Sequence, residues 1–217
     1  MKKSIIIFDL DGTLLNTLED LSDSTNIALN EFGYPARTIE EVRNFVGNGV
    51  AKLIERAIPH GKNNPHYETC LKFFKKIYAR NMYNHTAPYD GIIKMLENLK
   101  SKGMKIAVVS NKFDAAVKEL CEKYFENLID FAAGENEAAG IKKKPAPDTV
   151  LKVLANFGIN AENAIYAGDS DVDILTAKNS KMSCISVTWG FRSRDFLIKH
   201  GADIIIDTPE EIFNLID

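Results

Sequence analysis

The run Ile5-Ile6-Ile7-Phe8 constrains this chain more than any other stretch. It is β-branched and aromatic with no polar alternation, the composition of a strand covered on both faces. Such a strand needs a layer above it and a layer below it, which points to a parallel sheet with helices on either side. The run ends in Asp9-Leu10-Asp11-Gly12-Thr13. In extended backbone, positions i and i+2 face the same way, so the carboxylates of Asp9 and Asp11 leave the strand together. Gly12 and Thr13 then turn the chain. Ligand sites of open α/β sheets lie outside the carboxyl ends of their strands. Acids at the end of a central strand are costly unless paired, hydrated or metal-bound, so Asp9 and Asp11 are site candidates.

The texture downstream changes once. Apolar spacing predicts helices over residues 18–32, 40–45, 50–57 and 67–83, and no strand between Thr17 and Thr86. From Pro88 the pattern alternates. Helices are predicted over 92–102, 114–124, 148–157, 172–178 and 210–215, with strands at 105–109, 129–132, 164–167, 184–187 and 203–206. Alternating helices and short apolar strands imply a doubly wound parallel α/β sheet. The expected organisation is an α/β core domain of residues 1–16 and 87–217, with a small α-helical domain of residues 17–86 inserted after the first strand.

Composition supports a globular enzyme-sized chain: 217 residues, 45% hydrophobic, with 12 Phe and 7 Tyr. A formal net charge of −3 implies no broad basic surface and argues against nucleic-acid binding. Cys70, Cys121 and Cys184 are odd in number and widely spaced, which suggests buried thiols in a reducing compartment. The apolar start is interrupted at Asp9, too early for a signal peptide or a membrane span. The expectation is a cytoplasmic protein without membrane attachment, monomeric or weakly homo-oligomeric.

Further chemistry gathers at other predicted strand ends. Gly168-Asp169-Ser170-Asp171-Val172-Asp173 follows the strand at 164–167, and Ser110-Asn111 follows the strand at 105–109. Lys142-Lys143-Lys144-Pro145 precedes a helix. Each feature alone has an ordinary structural reading, as a helix cap, a capping turn or a solvated lysine run. Together they supply carboxylates, a hydroxyl, an amide and an ammonium to one sheet edge. Converging carboxylates repel unless a cation neutralises them, and the all-oxygen set suits a hard ion such as Mg²⁺. Such an ion could also bind and orient phosphate oxygens.

In order and spacing these segments resemble the haloacid dehalogenase superfamily of phosphohydrolases. Asp9-Leu10-Asp11-Gly12-Thr13 is similar to its first motif, Ser110-Asn111 to its second, Lys144-Pro145 to its third, and Gly168-Asp169-Ser170 with Asp173 to its fourth. The helical block is similar to the family's small cap. The resemblance implies that Asp9 is a nucleophile forming an aspartyl-phosphate and that Asp11 is the general acid and base. It implies Mg²⁺ held by Asp9, the backbone carbonyl of Asp11 and Asp169, with Asp173 supporting it directly or through a water. It gives Lys144, Ser110 and Asn111 the phosphoryl group to hold, with Gly12 and Thr13 beside it. Asp11 favours phosphate esters over carbon–halogen bonds, because the dehalogenase branch lacks an acid there.

Phe45-Val46-Gly47-Asn48-Gly49-Val50 and Trp189-Gly190-Phe191-Arg192 are similar to the phosphoglycolate phosphatase branch. That makes Asn48 and Gly49 candidate substrate contacts, against the plainer reading of a helix–helix turn. The expected activity is hydrolysis of a small phosphorylated metabolite, with phosphoglycolate as leading substrate. β-Phosphoglucomutase-like, nucleotidase-like and pyrophosphatase-like specificities are the alternatives on the same fold. A phosphoacceptor signalling module is the alternative from another class; such modules lack a helical insertion and are close to half this length.

Overall fold

The computed structural model describes residues 3–136 and 140–216. The chain divides into two compact units, Met1–Leu15 with Pro88–Asp217, and Asn16–Ala87. Among the described residues, no helix is long and apolar enough to cross a membrane.

The first unit is built on a six-stranded sheet: β1 (Ile5–Phe8), β4 (Lys105–Phe113), β5 (Phe131–Glu135), β6 (Ala164–Gly168), β7 (Ser183–Val187) and β8 (Ile204–Ile206). The strand order is β5-β4-β1-β6-β7-β8, and each neighbouring pair runs parallel. The Ile-rich run is thus interior to the sheet, with Ile6 opposite Ile106 on one side and Ile165 on the other. Ile5 and Ile7 pack on one face with Ala107, Val109 and Tyr166. Helix α7 (Asp148–Phe157) lays Val150, Val153 and Leu154 on that same cluster. Ile6 points to the opposite face and is equally buried. Each of these fully buried side chains contributes about 1.5–3 kcal/mol relative to exposure. This packing anchors the strand that carries Asp9.

Helices α5 (Ile92–Ser101), α6 (Asp114–Phe125), α8 (Asp171–Asn179) and α9 (Arg194–Lys199) complete this unit with α7. Helix α7 stops at Gly158, which takes the left-handed conformation while the Ile159 amide donates to the Leu154 carbonyl at 3.0 Å.

Four elements depart from the sequence reading. Strand β4 does not end at Val109 but continues to Phe113, with a register irregularity against β5 on the way. Strand β5 begins at Phe131; the Asp130 carboxylate before it accepts from the Ile106 amide at 2.9 Å while its own amide donates to the Ile106 carbonyl at 2.8 Å. Helix α9, too short for a clear period, is capped by Ser193 accepting from the Phe196 amide. The closing segment Pro209–Leu215 is a 3₁₀-helix.

The second unit comprises α1 (Leu18–Glu31), α2 (Ile39–Phe45), α3 (Val50–Ala57) and α4 (Tyr67–Asn81). Helix α2 starts in a reciprocal cap, Thr38 accepting from the Glu41 amide and Glu41 accepting from the Thr38 amide. Asp20 in the first turn of α1 is buried and accepts from the His85 amide (3.0 Å), the Thr86 amide (2.9 Å) and the Thr86 hydroxyl (2.8 Å). This one carboxylate ties the two ends of the helical unit together. The short strands β2 (Leu15–Asn16) and β3 (Ala87–Pro88), where the chain leaves and re-enters the sheet unit, pair with each other. Cys70 and Cys121 are buried and Cys184 half-buried, all as free thiols.

Truncating Ile7→Ala should cost about 2–5 kcal/mol, because a cavity opens against close-packed Ala107 and Tyr166. Urea unfolding should show a lower midpoint with an unchanged slope.

Candidate active site

The Asp9 amide donates to the Ala167 carbonyl at 2.9 Å, extending the β1–β6 ladder one residue beyond the strand. Its carboxylate therefore sits at the carboxyl edge of the sheet, where Oδ1 accepts from the Leu10 amide at 2.7 Å. Asp169 follows β6, and Asp173 stands on the first turn of α8. Carboxylate oxygens of Asp9, Asp169 and Asp173 all lie within 4.8 Å of one another, and all three residues are buried.

Lys144 enters this cluster. Its Nζ lies 2.9 Å from Asp9 Oδ1 and 2.8 Å from Asp173 Oδ1. It also donates to the Tyr166 hydroxyl at 3.0 Å, whose single proton faces two acceptors, the Val109 carbonyl at 3.2 Å and Asp173 Oδ1 at 3.3 Å. Burial disfavours the ammonium, but Asp173 and Asp9 outweigh it and hold the Lys144 pKa well above its usual value. The loop bearing Lys144 is fixed by Asn111, whose side-chain amide donates to the Lys144 carbonyl at 3.0 Å, and the Lys144–Pro145 peptide is cis.

The three acids do not have equal capacity left. Asp173 Oδ1 receives Lys144 and lies 3.3 Å from the Tyr166 hydroxyl, while Oδ2 receives the Ser170 amide (3.1 Å) and hydroxyl (2.6 Å). A carboxylate has about four acceptor sites, and on Asp173 three are taken in orienting Lys144 and capping α8. Asp169 accepts the Phe191 amide at 2.7 Å and the Thr13 hydroxyl at 3.4 Å. The chain passes very close around it. Gly12, at φ +82°, would place a Cβ 2.5 Å from Asp169 Oδ2. Gly190 would likewise drive a Cβ into the Asp169 side chain.

Charge is out of balance in this cluster, with three carboxylates facing the single ammonium of Lys144. Burial, and then Asp173 and Asp11 against the opposing pull of Lys144, raises the Asp9 pKa to about 7. Burial together with Asp173 and Asp9 raises Asp169 to about 8. Buried, all-oxygen and short of positive charge, the cluster fits a hard divalent cation, and Asp9 and Asp169 are the carboxylates with the most acceptor capacity left to hold it.

The other candidates fall in different places. Ser110 is buried on β4 and accepts from the Lys112 amide at 3.3 Å. The carboxylate of Asp11 lies outside the three-acid group and is instead ion-paired to Lys112. Asn48 and Gly49 belong to the helical unit. There Asn48 Oδ1 accepts from Arg56 at 2.8 Å, and Arg56 also donates to the Phe45 carbonyl at 2.7 Å. Lys142 is exposed and Lys143 half-buried.

Tyr166, Lys112 and the Phe191 amide are parts of this network that sequence reasoning did not single out. Tyr166 carries the one polar side-chain atom of its apolar strand, a signal in retrospect. Lys112 lies two residues from Ser110 within β4. A backbone amide leaves no signal. Trp189, after β7, donates its indole N–H to the Thr13 carbonyl at 3.0 Å and so braces the loop after Asp11.

An acid- and lysine-bearing carboxyl edge on a doubly wound parallel sheet defines a hydrolase-like catalytic core. The sequence profile of the haloacid dehalogenase-like hydrolases matches residues 6–187, and the chain belongs to that family. It is 32% identical to the phosphoglycolate phosphatase of Aquifex aeolicus over 98% of this chain and 96% of that one. It is 31% identical to phosphoglycolate phosphatase 1 of Pseudomonas aeruginosa, over 98% of this chain and 79% of that one. Among solved structures, a Lactobacillus delbrueckii subsp. bulgaricus protein described provisionally as a phosphoglycolate phosphatase superposes with a TM-score of 0.94. It is 39% identical and covers 100% of this chain and 99% of its own.

Lys144→Met should destabilise the protein by about 3–5 kcal/mol, read by urea unfolding, because it strands buried carboxylates without their counter-charge. A second outcome concerns pH. Acids raised on folding, from 3.8 to about 7 and about 8, bind protons more tightly in the native state. Their stabilising contribution is complete below pH ~4 and lost as pH rises through those values. In chelator, the melting temperature should therefore fall between pH 5 and 8, and Asp169→Asn should flatten that fall.

Proposed function

We propose that this protein is a cytoplasmic phosphatase that hydrolyses small phosphomonoesters with Mg²⁺, and that phosphoglycolate is its leading substrate. The observation that carries the reading is the buried ammonium of Lys144 beside Asp9 at the carboxyl edge of the central strand. The near full-length relatives named phosphoglycolate phosphatase support the choice of substrate.

In this reading Asp9 attacks phosphorus as the P–O bond to the leaving group breaks, and Asp11 gives its proton to the departing oxygen. Water then attacks the aspartyl-phosphate and passes a proton to Asp11. The bond from phosphorus to Asp9 breaks, which releases phosphate and restores both side chains. Lys144 and the Ser110 hydroxyl balance charge on the phosphoryl oxygens, Asn111 keeps the Lys144 loop in place, and Gly12 and Thr13 form the turn beside them. Asp9 and Asp169, with the Asp11 carbonyl, would hold Mg²⁺, which when bound supplies positive charge to those oxygens. Asp173 serves by fixing Lys144. The helical unit, through the segment containing Asn48 and Gly49, is assigned the choice of substrate.

Purified protein assayed with Mg²⁺ on a panel of phosphate esters should rank phosphoglycolate first by kcat/KM and lose turnover in chelator. Asp9→Asn should lower kcat roughly 10⁴-fold or more while remaining folded. A hexose phosphate, nucleotide or pyrophosphate at the head of the ranking would reassign the substrate. A lasting phosphoprotein without turnover would point to a phosphoacceptor module instead.

A further inference from the structure

Lys112 is a buried cation that the proposed chemistry does not use. It lies within β4, two residues beyond Ser110, with 1% of its side chain exposed. Its Nζ meets both oxygens of Asp11, at 2.8 Å and 3.0 Å. A lysine so deeply enclosed is kept charged only by a close partner, and contact with both oxygens fixes where that carboxylate points.

Asp11 needs such a hold. It is two residues from Asp9, beside a cluster that already carries three carboxylates, and its own side chain is only 14% exposed. Left to itself it would be repelled by those acids and could turn away from the reacting oxygen. Strand β4 is irregular where it presents Lys112, with the register against β5 shifting between Val109 and Phe113. The ion pair therefore joins the loop after β1 to the neighbouring strand.

We propose that Lys112 is a positioning residue for Asp11: when Asp11 carries the proton for the leaving group on one oxygen, Lys112 holds the other and so sets the place from which the proton is delivered. The inference rests on the proton-donor role given to Asp11 above. Of the two proton transfers given to Asp11, only protonation of the departing oxygen depends on the leaving group, and kcat/KM, set by the steps up to its departure, reads that one alone. An alkoxide leaving group depends on that proton, whereas p-nitrophenolate departs with little help.

The test compares phosphoglycolate with p-nitrophenyl phosphate in the wild type, K112M, K112R, D11N and D11N/K112M. In K112M, kcat/KM for phosphoglycolate should fall about 10²-fold, the scale of a misplaced catalytic group, and kcat/KM for the aryl ester less than tenfold. K112R keeps the charge and should show the same split at smaller size, and it carries the test if K112M does not fold. D11N should show the larger split, and adding K112M to it should change neither rate further. An equal loss on both esters in a folded variant, or additive losses in the double variant, would overturn the proposal. A wild type inactive on both esters would instead overturn the phosphatase reading itself.

Discussion

A buried ammonium shared by two carboxylates from different parts of the chain organises the catalytic unit. Lys144 contacts Asp9 at the end of β1 and Asp173 on α8 while its own loop is held by Asn111 from β4. Three segments far apart in sequence are thereby brought to a single point. Neither acid is stable at this depth without the lysine, and the lysine is not stable there without the acids. Such a cluster contributes less to stability than to the uniqueness of the arrangement, since an apolar replacement of the set could pack equally well.

The sheet makes this arrangement possible. With Ile5, Ile6 and Ile7 fully buried between β4 and β6, Asp9 has little freedom to move along the strand axis. The backbone closes around Asp169 from two directions, at Gly12 and at Gly190, and the Phe191 amide and Thr13 hydroxyl hold its oxygens. The acids are thus preorganised at a cost that the surrounding core offsets. The raised pKa values of Asp9 and Asp169 are the residue of that cost, and a cation bound there would relieve it.

Much of this could be read from the chain, for identifiable reasons. The Ile-rich strand, the helical block and the alternation after Pro88 follow from periodicity, which is a local property. Helix α7, over Asp148–Phe157, and helix α3, over Val50–Ala57, were legible to the residue because a proline or glycine sets their ends. Elements decided by partners were less so. Strand β4 continues through the polar residues Ser110 to Lys112, across a shift of register, until Phe113 pairs again with Glu135 of β5, and polar composition concealed that continuation. Helix α9 depends on a Ser193 cap and a single buried leucine, Leu197. In the site, Asp9, Lys144, Asp169 and Asp173 could be nominated as a set from their motifs. Which acid takes which partner could not.

The sequence alone determined the fold class and the identity of the charged groups, because hydrophobic period and turn residues act within a few positions of themselves. Only the tertiary structure decided how those charges are apportioned. Asp173 has most of its acceptor sites taken by Lys144 and Ser170, Asp9 and Asp169 face each other with charge to spare, and Asp11 is matched with Lys112. The reason is that Coulomb attraction and hydrogen bonding depend on distances of a few ångströms between residues 29 or 101 positions apart in the chain. No local pattern encodes those distances; the stacking of β4, β1 and β6 sets them.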